Sequence, residues 1–292
     1  ASSIRRARDL PALVQCSSDV RSLSYALVAQ GVASGQLTRM ISSLNDQLVS
    51  RLLDVTAPRH DLSGVTLCWI GMGSEGRSEQ TIATDQDNGL VFVPNDPAAA
   101  PDAIRERLLP FAREVNEGLD QCGYPLCKGG VMAMNPKWCA SLDEWRAAFY
   151  AWIDRGDPQS LLEANIFFDF RSLWGEAALA EVLRVDIAGR AQGNPRFLKQ
   201  MSDNALTVRP PLNWLGEIAT KQDDQGVAGI DLKASGTAAF VDGARILALA
   251  SGVTATNTVE RLQAAGAAKG IPESEINAWA DAFEYLQFLR LR

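Results

Sequence analysis

Apolar residues recur at three- and four-residue steps through the first sixty positions. Leu37, Met40, Ile41, Leu44, Leu48 and Leu52 fall on one face of a helix. Gly31 and Gly35 set this helix off from an earlier one over 18–30, and Pro58 ends it. The period then changes. Val65-Thr66-Leu67-Cys68-Trp69-Ile70 is a compact, β-branched run that predicts a buried strand, running straight into Gly71-Met72-Gly73-Ser74-Glu75-Gly76-Arg77. A polar stretch, read as a short helix, leads to Thr84-Asp85-Gln86-Asp87. A second strand over 90–93 is stopped by Pro94-Asn95-Asp96-Pro97. Helices are predicted over 101–121 and 141–153, then an aromatic strand, Ile166-Phe167-Phe168-Asp169-Phe170, that carries one carboxylate. Beyond 175 the pattern is helical, best over 177–187, 245–249, 258–268 and 273–291, with a polar, glycine-punctuated loop from Gly229 to Gly236. The expected fold class is α+β: a helical lead-in over 1–58, a core over 59–175 and a helical domain over 176–292.

The bulk numbers narrow the function classes. The chain has 292 residues, 47% hydrophobic and 22% charged, enough to bury a sizeable core. A formal charge of -7 with no basic stripe argues against nucleic acid as a partner. No apolar run is long enough to span a membrane, and no signal peptide opens the chain. Five scattered cysteines, an odd count, are expected as reduced thiols in the cytoplasm. Cys122, Cys127 and Cys139 match no common zinc spacing. His60, the only histidine, sits in an apparent linker, which disfavours Ser-His-Asp and histidine-metal chemistry. The start at Ala1 and the stop at Arg292, inside an apparent helix, suggest a piece of a longer protein.

The candidate chemistry gathers after the first strand. A strand entering Gly73-Ser74 offers bare backbone N–H groups and a hydroxyl to a phosphate. Asp85 and Asp87, two apart in an extended chain, point the same way. Such a pair repels by about 1–4 kcal/mol, a cost that a bridging Mg²⁺ or Mn²⁺ removes. A solvated turn is the competing reading. Asp169 is costly to bury unless it is catalytic and metal-bound or paired with Arg171. Arg77 suits a triphosphate or a pair with Glu79; Lys128 and Lys233 suit phosphate contacts or plain solvation. Trp214 suits base stacking or core packing.

Gly73-Ser74, ten further residues and then Asp85-Gln86-Asp87 resemble the signature of the DNA polymerase β nucleotidyltransferase superfamily. The longer runs 73–80 and 84–88, with Cys127-Lys128-Gly129-Gly130-Val131-Met132-Ala133, Phe168-Asp169-Phe170-Arg171 and Gly229-Ile230-Asp231-Leu232-Lys233, are more specific. They resemble a nucleotidyltransferase family, formally a domain of unknown function, that often follows cyclic-nucleotide-binding and CBS-pair domains in bacterial signalling proteins. That family is related to the uridylyltransferases that modify the regulator PII. The resemblance implies a polymerase β-like core with a small mixed sheet, plus a helical substrate-binding domain. It implies Gly73 and Ser74 at the triphosphate of ATP or UTP, and Asp85, Asp87 and Asp169 at Mg²⁺ or Mn²⁺. It further implies a hydroxyl acceptor, which could be a protein, and upstream CBS-pair or cyclic-nucleotide-binding domains. Gln86 departs from the superfamily, which usually has an apolar residue there, and PII is not carried over as substrate. Two rival readings remain: a non-catalytic nucleotide sensor, and an interaction module whose helices over 18–57 make a homodimer or dock to missing domains.

Overall fold

The computed structural model describes residues 1–82, 84–156, 165–208, 220–222 and 228–291. Trp214 lies outside them. Two compact units emerge, one of Ala1–Ala151 with Ile166–Ile187, the other of Trp152–Asn165 with Ala188–Arg292.

The first unit opens with three helices, α1 (Ser2–Arg6), α2 (Leu10–Ala29) and α3 (Ser34–Thr56). Asp9 caps α2 by accepting the Ala12 amide at 3.0 Å. The apolar stripe read from the sequence on α3 is core: Leu37, Ile41, Leu48 and Leu52 are at most 2% exposed. Leu48 and Leu52 join one hydrophobic cluster with Trp69, Leu90, Phe92, Leu108 and Phe111. The expected strands follow as β1 (Val65–Met72) and β2 (Asn88–Pro94), and the expected helix as α5 (Pro101–Gln121), with Pro101 at its first position.

The sheet has four strands in the order β3-β2-β1-β4, where β3 is Cys139–Ser141 and β4 is Phe170–Gly175. β1 runs antiparallel to both β2 and β4, and β3 pairs parallel to β2. β3, only three residues long, is invisible to a periodicity argument. Helix α6 (Leu142–Arg155) follows it directly. A small mixed sheet with helices, followed by a helical C-terminal region, is the α+β architecture expected.

Three details differ from the sequence reading. The short helix after β1 is α4 (Gly73–Gly76), within the glycine run itself, and 77–82 and 84–87 are irregular. The aromatic segment Asn165–Phe168 is a 3-10 turn rather than a strand, and β4 starts only at Phe170. The reason is side-chain packing. Phe167 packs at a tilt against Trp138, 4.2 Å between centroids, and Phe168 meets Phe149 edge-on at 5.3 Å. Successive aromatics thus pack into one core, whereas a strand would send them to opposite faces. Third, His60 is no solvated loop residue: it bonds Glu114 at 2.6 Å and meets Phe111 edge-on.

The second unit contains the end of α6, the end of α7 (Ala177–Gln192), then α8 (Pro195–Ala205), α9 (Ala238–Ala250), α10 (Thr258–Lys269) and α11 (Glu273–Leu291). Ala244, Leu262 and Ile276 form a small core with Leu247, Ile271 and Trp279 around it. The loop expected from Gly229 to Gly236 is partly ordered: Ala228–Gly229 pairs antiparallel with Lys221–Gln222, and Lys233–Thr237 forms a π-helical turn.

Two glycines give a stability test. A Cβ on Gly76 would overlap the Asp169 carbonyl oxygen, so α4 and the approach to β4 meet only because position 76 has no side chain. Gly189, exposed within α7, has nothing within 4 Å of an added Cβ. Gly76→Ala is expected to destabilise by about 2–3 kcal/mol, and Gly189→Ala to stabilise by about 0.5–1 kcal/mol. Urea denaturation of the two variants checks both signs.

Candidate functional site

β1 ends in a bend that only glycine allows. Gly73 has φ +56°, and a Cβ there would lie 3.0 Å from Ile166 Cγ1 and 3.3 Å from Asp87 Oδ2. The Asp87 carboxylate therefore rests directly beside the bend. Ser74 Oγ lies 3.5 Å from Thr84 Oγ1, and the Ser74 carbonyl accepts the Glu79 amide at 2.9 Å, which folds the loop after α4 back on itself.

The direction of the two aspartates is set by what lies between and after them. Exposure alternates along the chain: Asp85 is exposed, Gln86 buried, Asp87 half-buried and Asn88 buried. The Gln86 amide nitrogen donates to the carbonyls of Asn116 and Tyr124 at 2.9 and 2.8 Å. Asn116, fully buried on α5, donates to Gln86 Oε1 at 2.8 Å and to Asn88 Oδ1 at 2.9 Å. The Ala133 and Met134 amides then satisfy Asn88 Oδ1 and Asn116 Oδ1. A buried amide network with its partners in place fixes these side chains inward, and Asp85 and Asp87 face the other way. This is why a polar residue is tolerated at 86.

Backbone bonds lock the register. The Met72 amide donates to the Asp87 carbonyl at 2.8 Å, while the Gln86 and Asn88 amides donate to the Pro125 and Val131 carbonyls. The second pair draws the loop over 125–131 alongside Asp87 and brings in Cys127. Donor atoms of Asp85, Asp87 and Cys127 all lie within 4.8 Å of one another. Burial pushes the Cys127 thiol above its usual range, the Val131 backbone opposing and the Asp87 charge adding to it. Cys122 and Cys139 are instead fully buried in the core, so the three cysteines do not converge. Lys128 is exposed next to Cys127.

Asp169 lies just ahead of β4, its carboxylate fully buried. It pairs with Arg77 Nη1 at 2.6 Å, and Arg77 Nε bonds Glu79 Oε2 at 2.7 Å. The expected alternative partner, Arg171, turns elsewhere, to Asp46 at 2.7 Å and to the Glu75 carbonyl at 3.0 Å. The cause is the shifted strand start: Asp169 and Arg171 do not share one strand face. Among the described residues Asp169 does not belong to the donor group of Asp85, Asp87 and Cys127. Lys233 lies in the second unit, where its amide donates to Asp231 Oδ1 at 2.9 Å.

Glu75 escapes a reading by motif. It is 7% exposed behind the bend, hydrogen-bonded by Gln80, and pushed up to about 8. Burial is the main cause, followed by the charge of Asp46, with Arg171 opposing and Asp87 adding a further push. The surrounding polar groups are continuous: Asn45 donates to Gln80 Oε1, Tyr124 donates to Asn45 Oδ1, and the Gln80 amide donates to Ser42 Oγ.

A mixed sheet whose first strand ends in a glycine-serine bend, with an Asp-x-Asp pair against that bend, is the frame of an α+β nucleotidyltransferase core. The family model described as Putative nucleotidyltransferase DUF294 matches residues 18–159. A second, described as Putative nucleotidyltransferase substrate binding domain, matches 195–292. The chain belongs to this nucleotidyltransferase family. No curated protein matches it.

The proton on Glu75 has a measurable consequence. An unfolded glutamate loses its proton near 4.5, whereas folded Glu75 keeps it to about 8. The stability linked to that proton is complete below about pH 4.5 and falls as pH rises through 8. Glu75→Gln is therefore expected to stabilise the fold at pH 8 by on the order of a few kcal/mol, with the gain shrinking toward pH 5. Thermal unfolding at the two pH values reads this out; a gain independent of pH contradicts it.

Proposed function

We propose that this chain transfers a nucleoside monophosphate from ATP or UTP to a hydroxyl acceptor, with pyrophosphate leaving. The observation that carries the reading is the Asp87 carboxylate against the Gly73 bend, with Asp85 beside it. Carboxylate oxygens are the donors that Mg²⁺ and Mn²⁺ prefer, so the donor set fits the ion such chemistry uses. Asp85 and Asp87 hold it; once bound, it neutralises charge on the triphosphate. The bare backbone at Gly73 and the Ser74 hydroxyl position the β- and γ-phosphates. Positioning and charge neutralisation supply most of the catalysis in such transfers.

Arg77 and Asp169 act as a unit. Arg77 is the cation next to the bend, held by Asp169 and Glu79. When triphosphate oxygens arrive, the guanidinium turns to them, and Asp169 becomes the third carboxylate, accepting the proton of the attacking hydroxyl. Lys128 serves as a phosphate contact from the loop after α5. The helical second unit binds the acceptor, a protein or a small molecule, and the chain acts within a bacterial signalling protein that also carries sensory domains of the CBS-pair or cyclic-nucleotide-binding kind.

One observation favours a second reading. Asp169 is fully buried in its pair with Arg77, an arrangement suited to a nucleotide sensor that does not turn over. Incubation with ATP or UTP labelled at the α-phosphate, Mg²⁺ and cell lysate separates the two. Transfer predicts a labelled product, reduced about a hundredfold or more by Asp85→Asn or Asp87→Asn. Nucleotide binding without any labelled product makes the sensor reading correct.

A further inference from the structure

The donor set at the aspartate pair includes one atom that a Mg²⁺ site does not require. Cys127 Sγ lies within 4.8 Å of one carboxylate oxygen of Asp85 and one of Asp87. Its position is held from both sides: the amides of Gln86 and Asn88, which flank Asp87, donate to Pro125 and Val131, which flank the cysteine loop. The Gly130 amide closes the turn on the Cys127 carbonyl at 2.9 Å, and Gly130, at φ +67°, supplies the left-handed residue this turn needs. The other four cysteines are buried, whereas Cys127 is partly open.

We propose that Cys127 is a third ligand, through its sulfur, of the cation held by Asp85 and Asp87, so that the site also takes thiophilic divalent ions such as Zn²⁺ or Co²⁺. The inference rests on the proposed metal-dependent reading of the aspartate pair and adds to it a sulfur ligand. Thiolate sulfur favours Zn²⁺ and its neighbours over Mg²⁺, whereas carboxylate oxygens alone favour Mg²⁺ or Mn²⁺. On coordination the thiol proton leaves to water, and the site gains a ligand whose bond to a borderline metal is about 2.3 Å long.

Co²⁺ titration of the full chain under reducing conditions provides the test, because a sulfur–cobalt bond has a charge-transfer absorption that oxygen ligands lack. The expected result is saturable growth of that band with one Co²⁺ per chain. Cys127→Ser and Cys127→Ala should abolish the band and weaken Co²⁺ binding by about tenfold or more, with thermal unfolding unchanged. Asp87→Asn should weaken Co²⁺ binding while leaving Cys127 in place. Co²⁺ bound without the band, or a band that survives in both Cys127 variants, overturns the proposal. Calorimetry of nucleotide with Mn²⁺ on the same unmodified chain reads the parent proposal separately. If that binding is intact and no band forms, only the sulfur ligand is wrong; if neither appears, the metal-dependent reading fails as well.

Discussion

Everything at the candidate site depends on the buried amides of Gln86 and Asn88. Each finds its partners only on the inner side, at Asn116, at the Tyr124 carbonyl and at the Ala133 amide. In an extended chain successive side chains point to opposite sides, so satisfying the amides inward forces Asp85 and Asp87 outward together. A buried polar group without a partner costs about 1–3 kcal/mol, and a rotation of this segment would strand several at once. Two carboxylates are thereby held close to one another and to the bend, in an arrangement that electrostatics alone would not select.

The rest of the unit organises around that pair. Gly73 and Gly76 remove side chains where Asp87 and the Asp169 carbonyl approach. The aromatic packing of Phe167 and Phe168 carries Asp169 to the same turn, where Arg77 neutralises it. Behind the bend Glu75 keeps its proton up to about pH 8, so the charge near Asp87 is lower than the count of acidic residues suggests. The negative charge is thus graded: Glu75 is neutral in its buried position, Asp169 is balanced by Arg77, and Asp85 is open to solvent. Polar groups running from Tyr124 through Asn45 and Gln80 to Glu75 tie α3 to the same bend, which gives the helical lead-in a direct part in shaping the site.

Much of this was legible in the sequence, for identifiable reasons. β1 announces itself as a continuous β-branched run and α5 as a helix opened by Pro101, and both form where expected. The resemblance of Gly73-Ser74 and Asp85-Gln86-Asp87 to one signature already implied that the bend and the aspartates serve one site. What could not be read depends on contacts across the chain. β3 is too short to have a period. The run Ile166–Phe168 has strand-like composition, but its rings pack better in a 3-10 turn, which moved the partner of Asp169 from Arg171 to Arg77. Gln86 read as a departure from the superfamily pattern because its partner, Asn116, lies thirty residues away. Cys127 was visible as part of a glycine-rich block, but its neighbours became known only once the backbone bonds to Gln86 and Asn88 were seen.

The central claim is that Asp85 and Asp87 share one cation against a triphosphate lodged on the Gly73-Ser74 bend. The most direct measurement is a crystal structure of the chain with Mn²⁺ and a non-hydrolysable nucleoside triphosphate, phased to locate the anomalous scatterer. The account predicts a manganese peak bonded to oxygens of both aspartates and of the triphosphate, whose outer phosphates contact the Gly73 and Ser74 backbone. A well-ordered nucleotide elsewhere on the chain, or a manganese ion that contacts neither aspartate, would contradict it.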